Sequence, residues 1–124
     1  MSMALRILRQ LREVATKEFG NMLDAARIID SRRLEIHLIA CGRLVVRYPR
    51  EDRYSFHAEL CGRMYRIDTA PHHRHLSSFP RHIHYGSEGN VVEDHITRLE
   101  LPPVENFRRV LRWIETELLP ACQR

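Results

Sequence analysis

Tyr54-Ser-Phe-His-Ala-Glu-Leu-Cys-Gly-Arg-Met-Tyr-Arg-Ile-Asp68 holds two strands and the turn that joins them. Tyr54, Phe56, Ala58 and Leu60 alternate with Ser55, His57 and Glu59, a period of two that sends each set to its own face of a strand. Cys61-Gly62 supplies a two-residue turn, because glycine adopts the left-handed backbone such turns require. This turn pairs His57 with Arg66 and Ser55 with Asp68 on a polar face. Phe56, Ala58, Tyr65 and Ile67 fall on the opposite one. A slip of one residue would scatter both sets.

The alternation continues upstream. Leu34, Ile36 and Leu38 alternate with Glu35 and His37, and Leu44, Val46 and Tyr48 alternate with Arg43, Val45 and Arg47. Cys41-Gly42-Arg43 repeats the later Cys-Gly-Arg and is expected as the turn between them. Leu23 to Asp30 fits a first strand. Outside the strands the period lengthens. Ala4, Ile7, Leu8, Leu11, Val14 and Ala15 recur at three- and four-residue steps, so residues 3–18 are expected to be helical, with Gly20 as the stop. Val104, Phe107, Leu111, Ile114 and Leu118 make a second stripe over about 104–118, preceded by Pro102-Pro103 and followed by Pro120. Arg108, Arg109 and Arg112 lie off that stripe, on a solvated face. The expected class is α+β: an N-terminal helix, an antiparallel β-meander of about four to six strands, a His-rich loop and a C-terminal helix.

The chain's 124 residues fit one domain, 1–124. Its 44% hydrophobic and 29% charged residues argue against membrane and disordered classes. No apolar run approaches the roughly 20 residues that cross a bilayer. Charges interrupt the first residues, unlike a signal peptide, so a cytoplasmic protein is expected. Cys41, Cys61 and Cys122 are odd in number and lack a C-x-x-C pair, which points to reduced structural thiols. Of the 20 basic residues only Lys17 is not arginine, the side chain better suited to phosphates and bases. Thirteen of those 20 lie within residues 1–66, against eight of the 16 acidic ones, an excess that suits a polyanion-facing surface.

After Asp68 the alternation fails: Asp68-Thr-Ala-Pro-His-His-Arg-His-Leu-Ser-Ser-Phe-Pro-Arg-His-Ile-His84. Five of the eight histidines fall between His72 and His84, with Arg74 and Arg81 among them. Pro71 and Pro80 argue against a central strand or a helix interior, which leaves a long polar loop. Three readings compete. His82 and His84, at i and i+2 with Glu88 after them, have a metal-site spacing like that of cupin barrels, though without the flanking glycines. Alternatively, histidines that titrate near neutrality move protons on a phosphodiester while arginines hold its charge. The third reading is a solvated loop with incidental histidines, as assumed for His37 and His95.

Tyr54-Ser-Phe-His57, Arg66-Ile-Asp68-Thr-Ala-Pro-His-His73 and Phe79-Pro-Arg-His-Ile-His84 with Gly86 resemble the TumE-type toxins of prokaryotic toxin–antitoxin pairs. Members of that family read approximately Y-S-x-H, R-x-D-N-A-P-H-H and F-P-H-H-x-H-x-G in the same order. The likeness covers about residues 5–118, with specific motifs from 54 to 86. Thr69 stands where the family often has Asn. Arg81 replaces the first histidine of the third motif, which leaves that histidine's role open but keeps a cation able to bind phosphate. The resemblance implies the same plan of helix, meander, His-rich loop and C-terminal helix. It also implies a toxin acting on RNA and encoded beside a helix-turn-helix antitoxin.

Taken with that resemblance, the residues lead us to expect a metal-independent endoribonuclease toxin without a cofactor. His73 or His84 would be the base and His82 the acid, with Asp68 orienting a histidine or an arginine. Arg66 and Arg81 would grip the phosphate, with His72 also placed among the substrate-binding groups. Tyr54 and His57 would support the site from the neighbouring strand, or a base would stack on Tyr54, although Tyr54 also continues the apolar face of Phe56 and Ala58. The rival class is a non-catalytic module that holds nucleic acid or a protein through the same groups. Oligomeric state stays open, a homodimer included.

Overall fold

The computed structural model describes residues 1–39 and 42–122. Helix α1, Met3–Glu18, begins at Ser2, whose hydroxyl accepts the Leu5 N–H at 3.1 Å and satisfies one of the donors a helix start leaves free. Ile7, Leu8, Leu11, Val14 and Ala15 are its buried face, as their spacing predicts. Gly20 is not the left-handed stop expected of it. The helix closes at Phe19, whose N–H reaches the Ala15 carbonyl at 3.0 Å, and Gly20–Met22 forms a 3₁₀ turn.

The described residues then build a seven-stranded antiparallel sheet in sequence order. Its strands are β1 (Leu23–Ile29), β2 (Arg33–Leu38), β3 (Arg43–Arg50), β4 (Arg53–Leu60), β5 (Arg63–Asp68), β6 (His82–Gly86) and β7 (Val91–Val92). The α+β plan holds, and β6 and the short β7 extend the meander past the expected four to six strands. The β4–β5 register is the predicted one, with His57 opposite Arg66 and Ser55 opposite Asp68. Cys61 and Gly62 both have positive φ, 51° and 77°, the pair of values that a tight hairpin of this twist needs.

The first hairpin departs from its twin. Ile36 faces Leu44 and His37 faces Arg43, so the turn lies two residues earlier than expected and Arg43 is already in β3. A two-residue shift leaves every side chain on its original face, which is why alternation alone does not detect it. Cys41, placed in that turn, lies outside the described residues. Gly42 serves close packing instead: a Cβ there would sit 1.9 Å from the Glu59 carbonyl oxygen of β4, and its φ is +97°.

One sheet face carries Leu34, Ile36, Leu44, Val46, Phe56, Ala58, Tyr65, Ile67 and Ile83, all buried beneath the helices. Each Leu, Ile, Val and Phe among them contributes roughly 1.5–3 kcal/mol of burial free energy. Helix α1 packs on β1 and β3 and against α2, Pro103–Trp113. Arg108, expected on a solvated face, instead donates to both Glu18 oxygens at 2.9 and 2.7 Å and ties the two helices. After Trp113 the helix widens to a π turn, Ile114–Leu118, and ends in Leu119–Ala121. The wider turn admits Pro120, which has no N–H to give and would crowd the carbonyl four residues back.

Cys61 and Cys122 are joined in a disulfide, Cα to Cα 5.8 Å, which corrects the expectation of reduced thiols at both. They are 61 residues apart, and the folded path of α2 brings Cys122 to the β4–β5 turn. Cys41 lies outside the described residues.

Candidate functional site

The other sheet face is polar, and its cross-strand rows follow from the register. One row runs Arg47, Ser55, Asp68, His82 across β3 to β6. The next runs Val45, His57, Arg66, His84. Asp68 and Arg66 on β5 therefore stand directly opposite His82 and His84 on β6. His82 and His84, expected on the loop, belong to a strand. Pro80 falls before β6 begins and removes no ladder hydrogen bond from it, so both prolines sit within the loop of residues 69–81.

Asp68 is the hub. Its Oδ1 lies 3.2 Å from His82 Nε2 and accepts the Ala70 N–H at 2.8 Å, while Oδ2 accepts Arg66 Nε at 3.2 Å and lies 4.0 Å from His84 Nε2. The far nitrogen of each ring faces a carbonyl: His82 Nδ1 is 3.1 Å from Pro80 O, and His84 Nδ1 is 2.7 Å from Glu88 O. A carbonyl only accepts, so each Nδ1 carries a proton. In a neutral ring this leaves each Nε2 bare, 3.2 Å from Asp68 Oδ1 for His82 and 4.0 Å from Oδ2 for His84. The rings are 1% and 6% exposed, and their centroids are 5.0 Å apart.

His73 reaches this pair from the loop, 4.7 Å from His82 and 5.9 Å from His84 between ring centroids. Loss of solvent, then the neighbouring His82 and His84, hold it below the usual histidine range, which favours its neutral form. One nitrogen from each of His73, His82 and His84 lies within 4.8 Å of the others. Glu88 stays out of this group, its carboxylate 2.5 Å from Arg66 Nη2. That contact and Asp68 hold the Arg66 guanidinium above its usual range.

The remaining expected residues are distributed unevenly. His57, part-exposed, lies across from Arg66 with Nε2 3.3 Å from Glu59. His72 is exposed, with His75. Tyr54 is buried against Tyr48, ring centroids 4.9 Å apart, and its hydroxyl is 2.7 Å from Thr97 Oγ1. Burial pushes its phenol up to about 12, and the residue is 3% exposed. Arg81 turns away from the histidines: it donates to the Asp94 carbonyl at 3.0 Å and to the Thr97 carbonyl, and pairs with the buried Asp94 carboxylate at 3.4 Å.

Sequence reasoning passed over the groups that hold the loop. Glu93 accepts Ser77 N–H and Oγ–H at 2.9 Å each and Ser78 N–H at 2.8 Å. These donors, the backbone ones first, draw its carboxyl down to about 2. Asp94 accepts from the Ile96 and Thr97 amides at 2.7 and 2.9 Å and from the Thr97 hydroxyl at 2.5 Å. The Asp94-His-Ile-Thr97 spacing is a local signal for such a turn. Nothing near Glu93 announces the serines fifteen and sixteen residues earlier. Beside Asp68 and Arg66 opens a cleft of about 790 Å³, with Arg47, Arg53, Pro71 and Pro80 among its walls.

A family model described as Toxin TumE matches residues 4–118 of this chain. The chain belongs to that family. The match spans the helices, the sheet and the whole histidine cluster, so Asp68, His73, His82 and His84 lie inside the TumE region. Membership makes the chain the toxin component of a toxin–antitoxin system and implies a cognate antitoxin. No curated protein and no solved structure matches it. No helix among the described residues is long and apolar enough to cross a membrane.

Proposed function

We propose that this toxin is a metal-independent endoribonuclease of the cytoplasm, working by proton transfer at His73, His82, His84 and Asp68. The observation that carries the reading is the unlike setting of two adjoining rings. His82 stands between two acceptors, as a proton donor should. His73, a ring diameter away, is held toward its neutral form, as a base should be. In the proposed step His73 takes the proton of an RNA 2′-hydroxyl, whose oxygen bonds to the adjacent phosphorus. The bond from phosphorus to the 5′-oxygen breaks, and His82 protonates the departing oxygen. The products are a 2′,3′-cyclic phosphate and a 5′-hydroxyl.

Asp68 orients His82, and Arg66 stabilises charge on the phosphoryl oxygens, the substrate displacing the exposed Glu88 carboxylate from it. His84, with its bare Nε2, is the second candidate base. Because His82 is buried, the 69–81 segment gives way when RNA enters. The antitoxin, on this reading a helix-turn-helix protein, neutralises the toxin by covering this face.

The test uses a single-stranded RNA oligonucleotide and its DNA copy. RNA should be cut to cyclic-phosphate ends in the presence of EDTA. DNA should bind without being cut, since it has no 2′-hydroxyl to attack phosphorus. RNA that is bound and left whole would move the protein to the class of non-catalytic binding modules.

A further inference from the structure

We infer that His73, His82 and His84 also form a binding site for one divalent ion of the zinc class, and that the bound ion switches the proposed cleavage off. The three ligand nitrogens already lie within 4.8 Å of one another. Around a tetrahedral ion with zinc–nitrogen bonds of about 2.0–2.1 Å, they would stand roughly 3.4 Å apart. Two of the three rings are fixed and one can move. His82 and His84 alternate onto one face of β6, and each donates its Nδ1–H to a backbone carbonyl, at 3.1 and 2.7 Å. Such backing fixes a ligating ring's orientation and tautomer in known metal sites. It leaves both Nε2 atoms turned to the space that Asp68 borders. His73 supplies the closing movement, because it is carried by the 69–81 segment.

The donor set narrows the ion. Imidazole nitrogens suit zinc, copper, nickel and cobalt, whereas magnesium and calcium prefer oxygen cages. Asp68, 3.2 Å from His82 Nε2, offers a carboxylate for the fourth position. Arg66, 3.2 Å from that carboxylate, places a cation next to the site and limits affinity, so the ion is exchangeable rather than permanently held. Glu88 does not complete the cage, because its carboxylate approaches His84 from the Nδ1 side, 3.9 Å away, opposite the Nε2 that Asp68 borders.

Binding and inhibition are separable claims. Binding needs only the geometry, while inhibition rests on the ribonuclease reading. The lone pair with which His73 would take a proton is the one it would give a metal, and His82 cannot deliver a proton from a coordinated Nε2. A loaded site therefore has neither acid nor base.

The experiment takes the full chain, stripped with EDTA and dialysed, and titrates it with Zn²⁺ by calorimetry and with Co²⁺ by visible absorption. We expect one ion per chain and the intense visible bands of four-coordinate cobalt. His73→Ala, a loop variant that spares the buried strand, should weaken binding by at least roughly ten- to a hundredfold, the loss seen for partners one shell further out. His75→Ala, on the same loop outside the cluster, should leave it unchanged. One equivalent of Zn²⁺ should abolish RNA cleavage, and EDTA should restore it. No binding, or equal weakening by His75→Ala and His73→Ala, overturns the site. Binding that raises cleavage overturns inhibition and makes the ion a cofactor. A chain that binds zinc as described yet cuts no RNA in any condition overturns the ribonuclease reading and leaves the metal site standing.

Discussion

Asp68 and His82 face each other across a hydrogen-bonded ladder, whereas His73 reaches the same place from a segment held by a few side-chain bonds. The strand half of the site, Arg66 and Asp68 on β5 with His82 and His84 on β6, cannot shift one group without moving two strands. The loop half, His72 to His75, depends on Ser77 and Ser78 being gripped by Glu93. In the strand half His82 and His84 are buried and Arg66 and Asp68 half-buried, whereas the loop half is largely exposed. The difference separates two tasks. Proton chemistry needs groups held in fixed relation, and admitting a polymer or an ion to buried rings needs a part that can open.

The sharpest way to break this comparison is to remove the strand-borne acid. His82→Ala should lower the RNA cleavage rate by roughly 10²–10⁴-fold, the scale for a lost general acid. Affinity for RNA should change far less, because a buried ring contributes little to the first encounter with phosphate. Single-turnover cleavage beside equilibrium binding separates the two effects. Equal losses of cleavage and affinity would mean that the strand half binds and does no chemistry. Circular dichroism on the same variant guards against simple unfolding, since His82 is 1% exposed.

The loop half is probed through its clamp. Glu93→Ala should reduce cleavage by up to about 10²-fold, the cost of misplacing a catalytic group by an ångström or so. It should speed hydrogen exchange at the Ser77 and Ser78 amides and leave β5 and β6 protected. The clamp also has a pH signature. Because folding draws the Glu93 carboxyl from 4.5 down to about 2, its contribution is complete above about pH 4.5 and fades as pH falls toward 2. The protection factors of those two amides, exchange corrected for its intrinsic pH dependence, should therefore fall across that acid window in the wild type and stay flat in Glu93→Ala. Protection unaltered in the variant would show that Glu93 does not hold the loop.

Much of the strand half was legible in the sequence. A two-residue turn at Cys61-Gly62 leaves a single register compatible with the apolar face, and that register alone puts Arg66 opposite His57 and Asp68 opposite Ser55. Strand β6 was not legible, because His82-Ile-His-Tyr-Gly86 is buried on both faces and two prolines flank the segment before it. The grip of Glu93 on Ser77 and Ser78 joins distant residues and leaves no local trace. The same limit hid the disulfide between Cys61 and Cys122. The twin Cys-Gly-Arg tripeptides misled for a physical reason: Gly62 is needed for its turn, while Gly42 is needed for the backbone of β4 that presses on it.

Arg81 sharpens the boundary between the two halves. Its guanidinium was expected on phosphate, yet it is spent on the Asp94–Thr97 turn. Arg81→Ala should cost roughly 1.5–3 kcal/mol of stability, the range for a hydrogen bond to a charged group, since Asp94 is left buried without its cation. Urea denaturation reads this directly. The salt dependence of RNA binding should stay as in the wild type. Arg66→Ala should instead flatten that dependence by about one phosphate contact. A flattened slope in Arg81→Ala would return this arginine to the binding surface.

The smallest effect tests whether the loop histidines form one group or two. His72, His73 and His75 are near neighbours in sequence, but His73 meets both strand histidines, while His72 and His75 are exposed. His75 approaches the cluster only through His73, with ring centroids 6.1 Å apart. Removing an exposed side chain that supports nothing normally changes stability by no more than about 0.5 kcal/mol. His72→Ala and His75→Ala should accordingly melt within a few degrees of the wild type and cut RNA within about twofold of its rate. His73→Ala should lose cleavage on the scale of His82→Ala. A tenfold loss in His72→Ala would place that ring on the substrate, and the loop half would then contribute binding as well as a movable base. Equal, minor losses in all three variants would leave the base to His84 and the whole of the chemistry to the strands.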